Sequence, residues 1–377
     1  MTWKLHFGAV ILCLIANETL AEESGFYSPS DMNFKEPFFS LGADIRRSAS
    51  VSLGDVNGDG TPDAVIANGR HWPQINQIFF NQNGRFRIAT PIDNIAMTSY
   101  TAELADLDND GDLDIVEIND MAPNRLFAND GLGHFTYQSD LDAPSHGRNV
   151  ALADIDGNGL TDILIINRRQ RNTLCYNEGN WQFRCAPFGD ERNSAIDAAI
   201  ADMNNDGRLD ILLANRDSRP SKIYFNLDNQ EFSSGQVFSK DGVDSRSVAV
   251  ADMDNDGFLD IVSANLNAAN IIYFGDKDLK FTRMVSFGDV EAASYALTLA
   301  DFDEDGAMDI AVANYEKPNQ VFFNDALGFN AVSLTDMAAR TYDIEAADLD
   351  NDGRTDIIVA NSDDLNIYYL NRIPLPQ

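Results

Sequence analysis

Short apolar runs recur along this chain, each broken by glycine, asparagine or aspartate. Where apolar residues alternate with small or polar ones, the period is two and the run predicts a strand rather than a helix. Four kinds of run follow one another in a fixed order. A small-residue strand such as Val150-Ala-Leu-Ala comes first, then an aliphatic one such as Asp162-Ile-Leu-Ile-Ile. An aromatic strand such as Lys222-Ile-Tyr-Phe-Asn226 follows, and a last one such as His134-Phe-Thr-Tyr closes the unit. The unit occurs seven times at intervals of 47 to 51 residues. A period of this length signals a repeat architecture, and four antiparallel strands in each of seven units predict an all-β, seven-bladed β-propeller. The last unit stops at its third strand, Ile367-Tyr-Tyr-Leu370, while Asn33–Ser40 near the other end reads like a fourth strand. The N-terminal strand is therefore expected to complete the last blade, which removes the exposed ends that an open solenoid must cap. Residues 22–377 read as a single propeller domain with its core at about 34–371.

Between the first and second strands of every unit stands the pattern Asp-x-Asp/Asn-x-Asp/Asn-Gly-x-x-Asp. It predicts oxygen ligands at positions 1, 3 and 5, a backbone carbonyl at 7 and an acid at 9. The first three sets are Asp55, Asn57, Asp59, Thr61 and Asp63; Asp106, Asp108, Asp110, Asp112 and Asp114; Asp154, Asp156, Asn158, Leu160 and Asp162. The next two are Asp202, Asn204, Asp206, Arg208 and Asp210; Asp252, Asp254, Asp256, Phe258 and Asp260. The last two are Asp301, Asp303, Asp305, Ala307 and Asp309; Asp348, Asp350, Asp352, Arg354 and Asp356. Calcium takes 6–8 oxygens, and alternate residues of a tight loop can converge on it; magnesium prefers a smaller octahedral site that keeps several waters. These loops are not EF-hands, because no Glu stands at position 12 and no helix flanks them. The expected cofactor is calcium, up to one ion per blade, and the competing reading is seven metal-free acidic turns.

The units resemble FG-GAP/VCBS repeats, the modules of the integrin α-subunit propeller and of many bacterial exported proteins. The resemblance rests on the loops, on their small-residue entry (Leu-Ala-Asp106, Val-Ala-Asp252) and on their Ala-Asn exit (Ala67-Asn68, Ala214-Asn215, Ala264-Asn265, Ala313-Asn314, Ala360-Asn361). It implies the propeller fold and calcium binding. It leaves activity open, since such proteins include adhesion modules, lectin-like binders and parts of carbohydrate-active enzymes. Integrins carry these loops on only some blades; here every blade has one.

Residues 1–21 read as an export signal: Lys4, an apolar run from Phe7 to Ala16, then Thr19-Leu-Ala21 with cleavage before Glu22. The run is too short to span a membrane, and Leu12 ahead of Cys13 fits a lipoprotein site poorly. A secreted or periplasmic, monomeric protein is expected. Two cysteines remain, Cys175 and Cys185, on the arms of a hairpin around Glu178-Gly179-Asn180. A cross-strand disulfide suits an oxidising compartment; a pair of buried thiols is the alternative. The formal charge of −33 disfavours nucleic acid as a partner.

Antiparallel order places the acidic loops on one face and the connections between second and third strands on the other. Fourteen of the 27 Lys and Arg residues fall in that second set of connections, or in those that lead into first strands. They either form an anion-binding rim or pair with acids such as Asp217, Asp244 and Asp343. Six residues ahead of each loop the first strand begins near the central channel, with Ala49, Tyr100, Arg148, Ile196, Arg246, Tyr295 and Tyr342. Tyrosine and arginine around a ring mouth suit a sugar, whereas blade packing explains them without a ligand. Glu103 and Glu345 are placed to face the channel. The expected ligand site comprises Arg148, Arg246, Tyr100, Tyr295, Tyr342, His71, Trp72, Arg168 and Arg216, binding an extracellular glycan, anionic by preference, or a protein partner. The alternative is a polysaccharide lyase acting on uronate-containing glycans. Its base would come from His146 with Arg148, from Tyr100 and Tyr295 beside Arg246, or from His71.

Overall fold

The computed structural model describes residues 39–371, except 192, 193, 241, 292, 326 and 327. The expected export signal and residues 33–38 of the expected closing strand lie outside the described residues. Among those described there is no helix long and apolar enough to cross a membrane.

Seven four-stranded antiparallel blades make up a β-propeller. Blade 1 runs Arg46–Gly54, Asp63–Asn68, Gln77–Asn81 and Phe86–Pro91, hydrogen-bonded in that order. Blades 2, 3, 5 and 6 repeat this plan, with first strands Ser99–Ala105, Gly147–Ala153, Asp244–Ala251 and Ser294–Ala300. Blade 7 consists of Thr341–Ala347, Asp356–Asp364, Ile367–Tyr369 and the N-terminal Phe39–Ser40. Phe39 lies opposite Tyr368 and Ser40 opposite Ile367, as the chain ends predicted. The first strands neighbour one another in blade order, and that of blade 1 packs on that of blade 7.

Two strand assignments need correction. The fourth strand of blade 2 is Thr136–Leu141, so His134 and Phe135 precede it. Asp130 accepts from the backbone N–H groups of Leu132 and His134 at 3.0 and 3.2 Å, so the chain is still turning there. In blade 4 the third strand stops at Tyr224. Phe225 N–H donates to Ser233 Oγ instead of the ladder, and a separate hairpin, Asn226–Asp228 with Glu231–Phe232, follows. The outer strand of that blade is displaced to Gln236–Val237.

The aliphatic second strands are buried throughout, because each is covered by both neighbouring blades. Val116, Ile118 and Leu126 of blade 2 pack with Val150, Ile163 and Ile165 of blade 3, for example. Buried asparagines then join blade to blade. Asn177, fully buried, donates from Nδ2 to the carbonyls of Leu107 in the blade 2 loop, at 2.8 Å, and Thr161, at 3.1 Å. Asn81, Asn129, Asn226, Asn324 and Asn371 do the same for their blades. Asn81 reaches Leu349 of blade 7. Blade 5 has Gly275 at this place. The Ala-Asn exits have a different use: Asn314 N–H donates to Asn319 Oδ1 while Asn314 Nδ2 donates to Pro318 O, closing the next connection. The Cys175–Cys185 disulfide is formed between directly opposed residues of adjacent strands.

Candidate functional site

On one face the seven acidic loops share one construction. The first Asp accepts through Oδ1 from the N–H of residue 5 and through Oδ2 from that of Gly 6, as Asp252 does from Asp256 and Gly257 at 3.0 and 2.9 Å. Residue 4 takes a left-handed conformation in every loop, which explains glycine or asparagine there in six of them (Gly58, Asn109, Gly157, Asn205, Asn255, Asn351) and leaves Glu304 as the exception. The ninth residue, Asp162 for example, binds the backbone N–H groups of Ile155 and Asn177 and so anchors the loop to its own third strand.

Five loops bring three carboxylates within 4.8 Å of one another: Asp106, Asp108 and Asp114; Asp154, Asp156 and Asp162; Asp252, Asp254 and Asp260; Asp301, Asp303 and Asp309; Asp348, Asp350 and Asp356. These clusters could hold metal ions. In the other two, an amide replaces the second carboxylate (Asn57, Asn204), and Arg208 pairs with Asp206. Burial first and mutual repulsion second push the carboxyls of Asp303 up to about 6 and Asp309 up to about 7. Asp108 Oδ1 is buried with no hydrogen-bond partner, while its Oδ2 accepts from Trp181 Nε1 at 3.1 Å. An orphaned carboxylate oxygen beside two further carboxylates fits a hard cation.

The opposite face opens into a bowl of about 450 Å³. All nine residues of the expected ligand site line it, together with Arg47, Tyr315, Arg340, Asp363 and Arg70. Below it a narrow throat is walled by all seven residues that stand six positions ahead of the loops. The fixed offset works because each first strand enters the ring at the same height.

Arginines stack on aromatic rings around the bowl. Arg246 lies over Tyr295 at 4.0 Å, Arg148 over Tyr100 at 4.2 Å, Arg70 over Tyr342 at 3.9 Å and Arg47 over Trp72 at 3.8 Å. Such stacking fixes a guanidinium flat and leaves its N–H edge to bind something else. Among the described residues, the Nε atoms of Arg70, Arg168, Arg216 and Arg246 are buried without a hydrogen-bond partner. Burial, then repulsion from Arg216, lowers the pKa of Arg246 to about 10. Burial, then the same Arg216, also lowers that of Arg168.

Of the acids expected to pair with the cationic connections, only one does so as expected. Asp217 does pair with Arg168 and Arg169, at 3.7 and 3.5 Å. Asp244 and Asp343 pair differently from the expectation. Asp244 accepts from Ser218 N–H. Asp343 accepts from Val51 N–H at 3.0 Å and tethers blade 7 to blade 1. It is also part of an acidic group in the channel with Asp197, Glu103 and Glu345. Burial raises the pKa of each, and repulsion within the group adds to it for Asp343, Glu103 and Glu345.

Sequence reasoning missed the hub of the bowl's edge, Asp120, which lies in a connection and belongs to no motif. Its Oδ1 accepts from Arg148 Nη1 at 2.9 Å and meets His146 Nδ1 at 3.0 Å; its Oδ2 meets His71 Nδ1 at 2.7 Å. Burial opposes its charge, but the bonds from Arg148 and His146 prevail and hold its pKa below the usual carboxylate value. His71 Nε2 in turn meets the Tyr100 hydroxyl at 2.9 Å. Gly69 makes this possible: at φ +113°, a Cβ would lie 2.4 Å from Trp72 O, and the tight turn there presents His71 to the bowl. His146 and Arg148 thus meet at an acid, and Tyr295 stacks on Tyr315 with ring centres 5.1 Å apart. His134 stays among the loops, beside Asp130.

Fold and site together define a β-propeller with acidic loops on one face and a cationic, aromatic bowl on the other. The chain belongs to the FG-GAP-like repeat family, which matches residues 55–117, 106–165, 154–213, 202–263, 252–312 and 301–359, each match running from one loop through the next. No curated protein matches it in sequence. Among solved structures it is similar to the BP39L lectin from Burkholderia pseudomallei, with a TM-score of 0.67 and 12% identity over 87% of this chain and 97% of that one. It is also similar to BBS1N from its complex with ARL6DN, with a TM-score of 0.60 and 12% identity over 90% and 98% of the two chains. At such identities the likeness establishes the fold.

Proposed function

We propose that this is an exported, calcium-loaded propeller that binds an acidic extracellular glycan in the bowl. The observation that carries the reading is the set of arginines aligned on aromatic rings with buried, unpartnered Nε atoms. Like charges held close together are costly, and an anion between Arg216 and Arg246 relieves that cost. Carboxylate and sulfate groups match the planar donor edge of arginine, and the half-exposed indole of Trp72 offers an apolar face to a sugar ring. Support from the fold comes from the lectin that shares it.

Calcium in the loops is part of the same proposal. Its charge offsets the repulsion within each carboxylate cluster, so the ions act as staples that stiffen the scaffold around the bowl. The disulfide supports export.

The test is retention of the calcium-loaded protein on uronate-bearing, sulfated and neutral polysaccharides. Binding is expected on the acidic ones and should weaken with salt. Arg216→Gln and Arg246→Gln should each weaken it by about 10-fold or more, the worth of a charge-assisted hydrogen bond. Equal retention on neutral polysaccharides, or wild-type affinity in both variants, would overturn the reading.

A further inference from the structure

Tyr100, His71 and Asp120 form a linked series at the wall of the bowl. With Asp120 ionised, His71 Nδ1 carries the proton that it donates to Asp120 Oδ2, and Nε2 presents its lone pair to the Tyr100 hydroxyl. A hydroxyl, an imidazole that can take its proton and an acid that orients the imidazole constitute the logic of a hydrogen-bonded triad, transferred here to a phenol. Each member is fixed. The Asp120 backbone N–H donates to Thr98 O at 3.0 Å, and its side chain is further held by Arg148 and His146. Arg148 spans the series, stacked over the Tyr100 ring while donating to Asp120.

Simple packing does not require this arrangement. Tyr100 lines both the bowl and its throat, and His71 has half of its side chain exposed. The reacting end of the series therefore faces the space where the ligand is proposed to sit. Arg246, Arg70 and Arg216 line the same cavity, and Arg246 and Arg70 are close enough to act electrostatically on Tyr100.

We infer that the Tyr100–His71–Asp120 series is a proton-transfer site that cleaves uronate-containing polysaccharides by β-elimination. The inference rests on the proposed acidic glycan as ligand. Tyr100 passes its proton to His71 Nε2 as its oxygen takes the proton from the carbon adjacent to the uronate carboxylate. The C–H bond breaks, and its electron pair is held as an enolate whose charge is neutralised by Arg246, Arg70 and Arg216. The enolate then collapses to a carbon–carbon double bond and expels the glycosidic oxygen from the next carbon. That oxygen takes the proton held by His71 and leaves as an alcohol. The proton taken from carbon remains on Tyr100 as its hydroxyl hydrogen, so the series ends in its starting state. No oxidant, water or metal is consumed. Burial raises the pKa of Tyr100, so the phenol rests protonated and needs the imidazole to accept from it.

The test uses the whole calcium-loaded protein with polygalacturonate, alginate, hyaluronan and heparan sulfate. Ultraviolet absorbance reads the unsaturated uronate formed, and calorimetry on the same samples reads binding. The expected result is absorbance growth on at least one of them. Tyr100→Phe and His71→Gln should lower the rate on it by about 10²–10⁴-fold, the usual share of general acid–base catalysis, a loss far larger than any change in Kd. Tyr100→Phe keeps the ring beneath Arg148, so a loss of rate with intact binding is not a folding defect. Binding without product overturns the proton-transfer site and leaves the binding reading standing. Product formed at wild-type rate by both variants also overturns it. Absence of binding to all four overturns the reading on which it rests.

Discussion

Asn177→Ala tests how the ring is held together. The wild-type amide is fully buried, donates to the carbonyls of Leu107 and Thr161 and accepts from Gly179 N–H at 2.9 Å. Alanine removes the donor from the buried carbonyl of Leu107 and from the partly buried one of Thr161. Each buried carbonyl left without a partner costs about 1–3 kcal/mol, so the variant should lose about 2–5 kcal/mol. In a domain of this size that corresponds to a Tm lower by roughly 3–7 °C. Asn324 supplies an internal comparison. It makes the matching bonds to Met253 and Met308, at 2.7 and 3.2 Å, but is only partly buried, so water can replace the lost amide. Asn324→Ala should therefore cost about 1 kcal/mol, the net worth of an accessible hydrogen bond. Chemical denaturation of both variants with calcium present measures the difference. Equal losses, or a loss below about 1 kcal/mol for Asn177→Ala, would refute the assignment of inter-blade fastening to the buried amides.

Four further outcomes are expected. Chelating calcium should lower the melting temperature, and Asp252→Ala should raise hydrogen exchange in blade 5 more than it weakens glycan binding; an unchanged melt on chelation would contradict the staple role. Gly275→Asn restores the asparagine of the other blades but should destabilise the protein in a thermal melt, because its Cβ would lie 2.3 Å from Leu259 O; a gain in stability would show that the backbone there gives way freely. Glu345 has its pKa raised by burial, then by Asp343 and Glu103. The folded state holds this proton more tightly than the unfolded state, so the associated stability is present below the unfolded pKa and lost as pH rises through the folded one. Glu345→Gln should thus be more stable than wild type at neutral pH, with the gap closing in acid, and a gap independent of pH would refute this.

The features that repeat were legible in the sequence. The acidic loops announce themselves by residue type and spacing, and the seven residues found by counting six back from each all line the throat. The missing fourth strand of the last unit and the N-terminal segment that reads like one pointed to the closing strand, of which Phe39 and Ser40 lie opposite Tyr368 and Ile367. Features built by single residues on separate blades were not legible. Asp120 is 49 positions from His71 and 26 from His146, and an aspartate in a connection carries no local signal of its partners. Nothing local marks the partners of the inter-blade asparagines, although their recurrence at the end of the third strand, as at Asn81 and Asn177, was a usable signal. Strand ends moved where turns departed from the common length, as at Asp130–His134 and in the extra hairpin of blade 4.

The central claim is that the ligand binds opposite the acidic loops. Hydrogen exchange of the calcium-loaded protein, with and without a polysaccharide that it retains, tests that claim most directly. New protection is expected in the segments carrying Arg70–Trp72, Tyr100, Arg216 and Arg246, with the loops unchanged. Protection confined to the loops, such as those from Asp106 to Asp114 and from Asp252 to Asp260, would contradict it.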